Sequence, residues 1–284
     1  MFKNKIKKIL PLWVLNNLKS ENLHMDDEFL SYVYKKKMGL EKNLGNIKTL
    51  ALRGSHADYS IYSKPENGIY NLGLTSTDTY FNYKLYEKYS NKMDNLENVI
   101  FFYSVFTPGL SLIRIKEKYR LVSYKFFFGI PYQDENLINK DLESKIIKRC
   151  GKFKELNFGD EYYGYEKKNQ FMTDITPEQR TTTHLRENQR EPNQLEWLIS
   201  LIDLVKHQKR KIYIVIPPVK KSYMECLPNK DELFEKLYSL DLSNVVILDF
   251  YGSEIFDDSD LGDFDHMNEK GAIKLTKEII NNIS

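Results

Sequence analysis

Cysteine is nearly absent from this chain. Two among 284 residues, Cys150 and Cys226, are too few and too far apart for a disulfide framework or a cysteine-rich zinc site, and they fit a reduced, cytoplasmic setting. A charge of one sign is lacking too. Forty-two basic residues against 40 acidic ones leave a net charge of +2, which supplies no field to gather phosphate backbone, so no nucleic-acid partner is expected. No apolar run is long enough for a transmembrane segment. The opening MFKNKIKKILPLWVLNNLKSEN imitates a signal peptide, but Pro11 interrupts the short apolar run and no small-residue cleavage site follows. Residues 1–46 therefore read as an uncleaved amphipathic, helical segment, in which Lys3, Lys5, Lys7 and Lys8 allow weak contact with a membrane surface. A glycine-rich phosphate loop, a nicotinamide fingerprint, an internal repeat and a low-complexity linker are all missing.

What is present is ordinary globular composition, 41% hydrophobic and 29% charged, in a chain long enough to bury a core. Continuous apolar runs at 47–53, 69–74, 98–106, 211–218 and 244–252 suit central strands of a sheet covered on both faces. Helical spacing of apolar residues lies between them, at 77–91, 194–208, 231–240 and 269–280. Strand alternating with helix predicts an α/β three-layer sandwich, α/β/α, with a mostly parallel sheet. Residues 107–190 break the alternation. They hold the aromatic cluster YKFFFGIPY and the polar tract TPEQRTTTHLRENQREP, and read as a partly helical insertion in a domain spanning 47–284. The aromatic cluster suits core or interface better than a platform for stacking sugars.

Open α/β sheets carry their sites at the carboxyl ends of the strands. The first predicted strand ends in LALRGSHADYS, which places Ser55 in a strand-to-helix turn. There a serine can expose its hydroxyl and offer its backbone N–H to a carbonyl oxygen, or simply cap the segment that follows. A serine nucleophile needs a base to take its proton. Near the other end, GDFDHMNEKGA sets Asp263 and His266 three residues apart before the last helix, with Asn268 as its N-cap. Such a pair can fix the imidazole tautomer and stabilise the imidazolium; the plainer alternative is a solvated acidic loop. DDSDLGDFD, at 257–265, fails the calcium-loop register because Leu261 falls on a ligand position, so no metal site is expected. His184 and Arg186 in HLRENQR could bind an anionic group or belong to a polar helix entry. Lys220, after Pro217 and Pro218 at another strand end, could touch substrate or sit in a solvated loop, and His56 beside Ser55 is a further candidate for substrate contact.

These blocks, in this order, resemble the SGNH (GDSL-like) hydrolase superfamily, and the GSHADY form is most similar to bacterial members that modify surface polysaccharides. The resemblance touches about a third of the chain, at its two ends. It implies a flavodoxin-like fold, Ser55 as nucleophile, His266 as base and Asp263 as its orienting acid. It also implies an oxyanion hole built from the N–H groups of Ser55 and Gly73 (in NLGL), with Ser104 standing nearest to the family's third donor. The implied activity is that of an esterase or deacetylase, or of an O-acyltransferase, on a carbohydrate or acylated glycan. No cofactor is implied, although a transferase would draw on an acyl donor such as acetyl-CoA. Two departures stand out. Arg53 occupies the place of a usual glycine, with Gly54 where aspartate is common, and FFYSVFTPG lacks the asparagine of the third block. They leave a second reading open, a non-catalytic glycan-binding or assembly protein that keeps the fold.

Overall fold

The computed structural model describes residues 26–153, 162–190, 193–243 and 245–283. The amphipathic reading of the N-terminal segment, with its lysines, falls largely outside the described residues. In chain order the main elements are α1 (Asp27–Asn43), β1 (Thr49–Leu52), α2 (Gly54–Ser60), β2 (Ile69–Asn71), α3 (Thr79–Tyr89), β3 (Asn98–Phe102), α4 (Arg120–Phe128) and α5 (Lys140–Cys150). They continue with α6 (Pro177–Glu187), α7 (Gln194–His207), β4 (Lys211–Ile216), α8 (Lys221–Met224), α9 (Lys230–Tyr238), β5 (Val245–Asp249) and α10 (Glu269–Ile283).

The chain divides into two compact units. One comprises Met38–Ser111 and Phe158–Ser284 and holds the sheet, five strands in the order β2-β1-β3-β4-β5, every neighbouring pair parallel. The registers Leu52↔Phe101 and Phe102↔Val215 bring the carboxyl ends of β1, β3 and β4 side by side. On one face, α2 packs on α10 over a core that includes Ala51, Ile100, Phe102, Val215, Leu248, Leu275 and Ile279. Alternation along the strands turns Leu50, Leu52, Val99 and Phe101 the other way, and all four are wholly buried. Helices α3 and α7 pack together, with α7 against β4. The unit is thus an α/β/α sandwich on a parallel sheet.

The strands end earlier than their apolar runs, and local chemistry says why. Arg53 and Gly54 both take positive φ, 93° and 63°, which ends β1, while Pro217 and Pro218 have no N–H to continue β4. The trailing residues of each run become the loops of the carboxyl edge. Helix starts follow their caps: Asp78 Oδ1 accepts the Phe81 N–H at 2.9 Å, and Asn268 Oδ1 accepts that of Gly271 at 3.1 Å.

In the other unit, Met1–Lys37 with Leu112–Asn157, the regular elements among the described residues are helices. Helix α4 packs on α5, and the Tyr132 hydroxyl donates to Glu143 Oε1 at 2.8 Å. Cys150 is buried there, and both it and Cys226 are free thiols. No described helix is long and apolar enough to cross a membrane.

Candidate active site

Ser55 lies in the first turn of α2, immediately beyond the Arg53-Gly54 turn, where backbone N–H groups have no acceptor within the helix. The turn is anchored from several sides. The Arg53 N–H donates to Asn82 Oδ1 at 3.0 Å, the Gly54 N–H donates to Thr77 Oγ1 at 3.1 Å, and Asn82 Nδ2 donates to the same hydroxyl. Ser55 is consequently held at a fixed height above β1, half-exposed.

Its hydroxyl meets the far end of the chain. Ser55 Oγ lies 2.8 Å from His266 Nε2, and His266 Nδ1 lies 3.0 Å from Asp263 Oδ2. Those partners fix the tautomer: Nδ1 carries hydrogen toward the carboxylate and Nε2 accepts from the hydroxyl. The loop that carries the pair is tied at its neck. Leu261 and Met267 form an antiparallel bridge, the Gly262 N–H donates to His266 O at 2.9 Å, and Lys220 N–H donates to Phe264 O at 2.9 Å. Asp263 Oδ1 also accepts the N–H groups of Asp265 and His266, and Oδ2 accepts that of Met172. Burial alone would raise the Asp263 pKa. The His266 charge and hydrogen bond, with the Asp265 N–H, outweigh it and hold the carboxyl below its usual value. For His266 burial disfavours the charged ring, but the carboxylates of Asp265 and Asp263 outweigh that and raise its pKa.

Asp265 is a site residue that the sequence reading passed over. Its side chain is 1% exposed, and Arg180 grips both oxygens, Nε to Oδ1 at 2.8 Å and Nη2 to Oδ2 at 2.9 Å. His56 Nε2 stands 3.2 Å from Asp265 Oδ2, and its ring stacks on that of His266 with centres 5.3 Å apart. His184 Nε2 is 4.0 Å from the same oxygen, while its Nδ1 lies 2.6 Å from the Tyr223 hydroxyl. Burial drives the pKa of both His56 and His184 down. A signal for Arg180 existed: it stands four residues before His184, on the same face of α6. His56, Asp265 and His266 bring donor atoms within 4.8 Å of one another, a spacing a cation could use. The donor set does not suit one, because the guanidinium already occupies both Asp265 oxygens with positive charge.

The remaining expected residues fall differently. His56 and His184, expected as substrate contacts, are 4% and 2% exposed, drawn inward by Asp265, and brace the acid rather than face solvent. Arg186 is exposed on α6, two residues past His184 and so turned away from it. Lys220 is half-buried, and its backbone ties the loop after β4 to the Asp263–His266 loop. Gly73 is needed for close approach, since a Cβ there would fall 2.3 Å from Asp58 N. As an oxyanion donor it meets an obstacle, because its N–H already donates to Asn71 Oδ1 at 3.0 Å. Ser104 is 7% exposed, its N–H bonded to Thr107 Oγ1 at 2.8 Å and its Oγ 3.2 Å from that same oxygen.

No protein-family model matches this chain. No curated protein matches it either. A solved structure from Streptococcus pneumonia, provisionally named a platelet activating factor, aligns over 97% of this chain and 100% of its own, with 11% identity and a TM-score of 0.46.

Proposed function

We propose that this protein performs serine-dependent acyl-ester chemistry of the SGNH (GDSL-like) kind on an O-acyl group of a carbohydrate, with Ser55 as nucleophile. The observation that carries the reading is the unbroken chain from Ser55 Oγ to His266 Nε2, 2.8 Å, and from His266 Nδ1 to Asp263 Oδ2, 3.0 Å. Ser55 Oγ attacks the acyl carbon while its proton passes to His266 Nε2. Asp263, its carboxyl held ionised, orients the imidazolium and stabilises its charge. The tetrahedral intermediate collapses, the C–O bond to the leaving alcohol breaks, and His266 Nε2 returns its proton to that oxygen. Water then resolves the acyl-serine in an esterase, or a sugar hydroxyl does so in an O-acyltransferase. The Ser55 N–H, without an acceptor in its helix, is the donor best placed by position to steady the oxyanion. The carbohydrate comes from the resemblance of GSHADY to polysaccharide-modifying proteins.

A second reading, a non-catalytic glycan-binding or assembly protein, draws on one observation: the N–H groups of Gly73 and Ser104 are both engaged within the protein. Loss of an oxyanion donor costs about 10²–10³ in turnover. Hydrolysis of p-nitrophenyl acetate, with and without candidate sugar acceptors, separates the two readings. Turnover that vanishes in Ser55→Ala supports the enzyme, and acceleration by a sugar marks a transferase. Equal rates in the native protein and Ser55→Ala refute the enzymatic reading.

A further inference from the structure

The sheet order puts β2 on one side of β1 and β3 on the other. The connection leaving β1 runs to β2 and the one leaving β3 runs to β4, in opposite directions, and open parallel sheets bind ligands at the carboxyl ends of the strands at such a reversal. Arg53 is the first residue past β1, and Tyr103 is the first past β3. Both are buried, at 3% and 0% exposure. Arg53 Nη1 donates to the Thr77 carbonyl oxygen, and its guanidinium carbon lies 5.8 Å from the centre of the Phe106 ring. Nε and Nη2, which share one edge of the guanidinium, have no hydrogen-bond partner among the described residues, and the Tyr103 hydroxyl has none either. Asp78, the carboxylate whose charge acts on Arg53, accepts the Phe81 N–H at its Oδ1.

Buried donors left unpaired are costly, and buried charged donors most of all. Three of them, on two residues just past the carboxyl ends of neighbouring strands, point to an acceptor that arrives from outside the chain. The same molecule shows what such an edge accepts. Arg180 uses the same two nitrogens, Nε and Nη2, to hold the two oxygens of Asp265.

We propose that Arg53 and Tyr103 form a receptor for a two-oxygen anion, a carboxylate or phosphate carried by the substrate, beside Ser55. The word substrate rests on the reading of Ser55 as the group that is acylated; the receptor adds to that reading that the ester is anionic. Arg53 is thus a specificity-determining residue.

The test titrates the full-length Ser55→Ala protein, in which no turnover intervenes, by calorimetry with monomethyl succinate, glycerol 1-phosphate and neutral methyl acetate. At least one anion binds and methyl acetate does not; which anion binds separates carboxylate from phosphate as the source. Adding Arg53→Lys, which keeps the charge and loses the fork, weakens binding by about tenfold or more, and Tyr103→Phe weakens it about threefold. Arg53→Gly, a residue at ease with the positive φ, guards against a folding defect and also abolishes binding, with thermal melts checking that each variant is folded. The proposal is overturned if neither anion binds, or if affinity is unchanged in these variants, as when water alone occupies the edge. If the native protein hydrolyses p-nitrophenyl acetate while the anions do not bind, the receptor fails and the nucleophile stands. If the anions bind through Arg53 while Ser55 is never acylated, the receptor stands and the ester chemistry fails.

Discussion

Two arginines sit close to the Ser55–His266 pair, and they differ in a way that burial does not explain. Arg180 has an 11% exposed side chain and Arg53 is 3% exposed, so water has left both. Burial works against the charge in each case. For Arg180 the carboxylate of Asp265, gripped at two points, outweighs the burial and pushes the pKa up. For Arg53 burial wins over the influence of Asp78 and Tyr103, and the pKa falls to about 10. Arg53 remains charged at neutral pH all the same. One guanidinium is therefore part of the frame that positions the imidazole, and the other has two nitrogens without a hydrogen-bond partner among the described residues. Pairing, more than depth, decides which buried charges hold the fold together.

Variants can break that contrast. Arg180→Met leaves the Asp265 carboxylate buried against two histidines, and should cost about 3–5 kcal/mol in urea unfolding. Replacing both partners, Arg180→Met with Asp265→Leu, should recover about 2 kcal/mol of that, because no uncompensated charge then remains. Arg53→Met removes a charge whose burial outweighs the influence of Asp78, and should cost about 1 kcal/mol or less, chiefly for the bond to Thr77 O. If Arg53→Met and Arg180→Met unfold at the same urea concentration, the contrast is wrong.

The dependence on pH sharpens the contrast. For Asp265 burial would raise the pKa, but the Arg180, His266 and His184 charges and the His56 hydrogen bond hold it well below the usual carboxylate value. A depressed carboxylate contributes stability above its unfolded pKa, about 4, and loses it as pH falls through the folded value. Arg180→Met gives up part of that depression, so its acid unfolding, followed by circular dichroism, should begin at higher pH than in the native protein. Arg53→Gly should leave the acid limb where it is. On the activity side His266 must be neutral to act as base, so turnover should fall below a midpoint lying above the ordinary imidazole value of about 6.5. Asp265→Asn removes a carboxylate that raises His266, and a pH–rate profile should show that midpoint moving down.

Some of this was legible in the sequence. The five continuous apolar runs announce the strands, because a parallel strand covered on both faces has no polar side to display. Ser55, Asp263 and His266 could be singled out because each stands at the end of an element where the chain must turn. The Arg180–Asp265 pair was harder to see, since its members are 85 residues apart and no periodicity links a helix to a loop across that distance. The burial of His56 and His184 was hidden for the same reason: only the three-dimensional position of Asp265 explains why both turn inward. The fate of the Gly73 N–H was equally out of reach, since it depends on Asn71 Oδ1, two residues away. Arg53 showed in the sequence only as a departure from a pattern; that two of its nitrogens lack a hydrogen-bond partner among the described residues needed coordinates.

The most direct test of the proposed chemistry is covalent labelling with a fluorophosphonate, read by intact mass and peptide mapping. A single adduct forms on Ser55 if the triad is catalytic, absent in Ser55→Ala, and labelling slows as pH falls and His266 becomes protonated. Failure of the folded native protein to label at Ser55, under conditions where a known serine esterase labels fully, would contradict that chemistry.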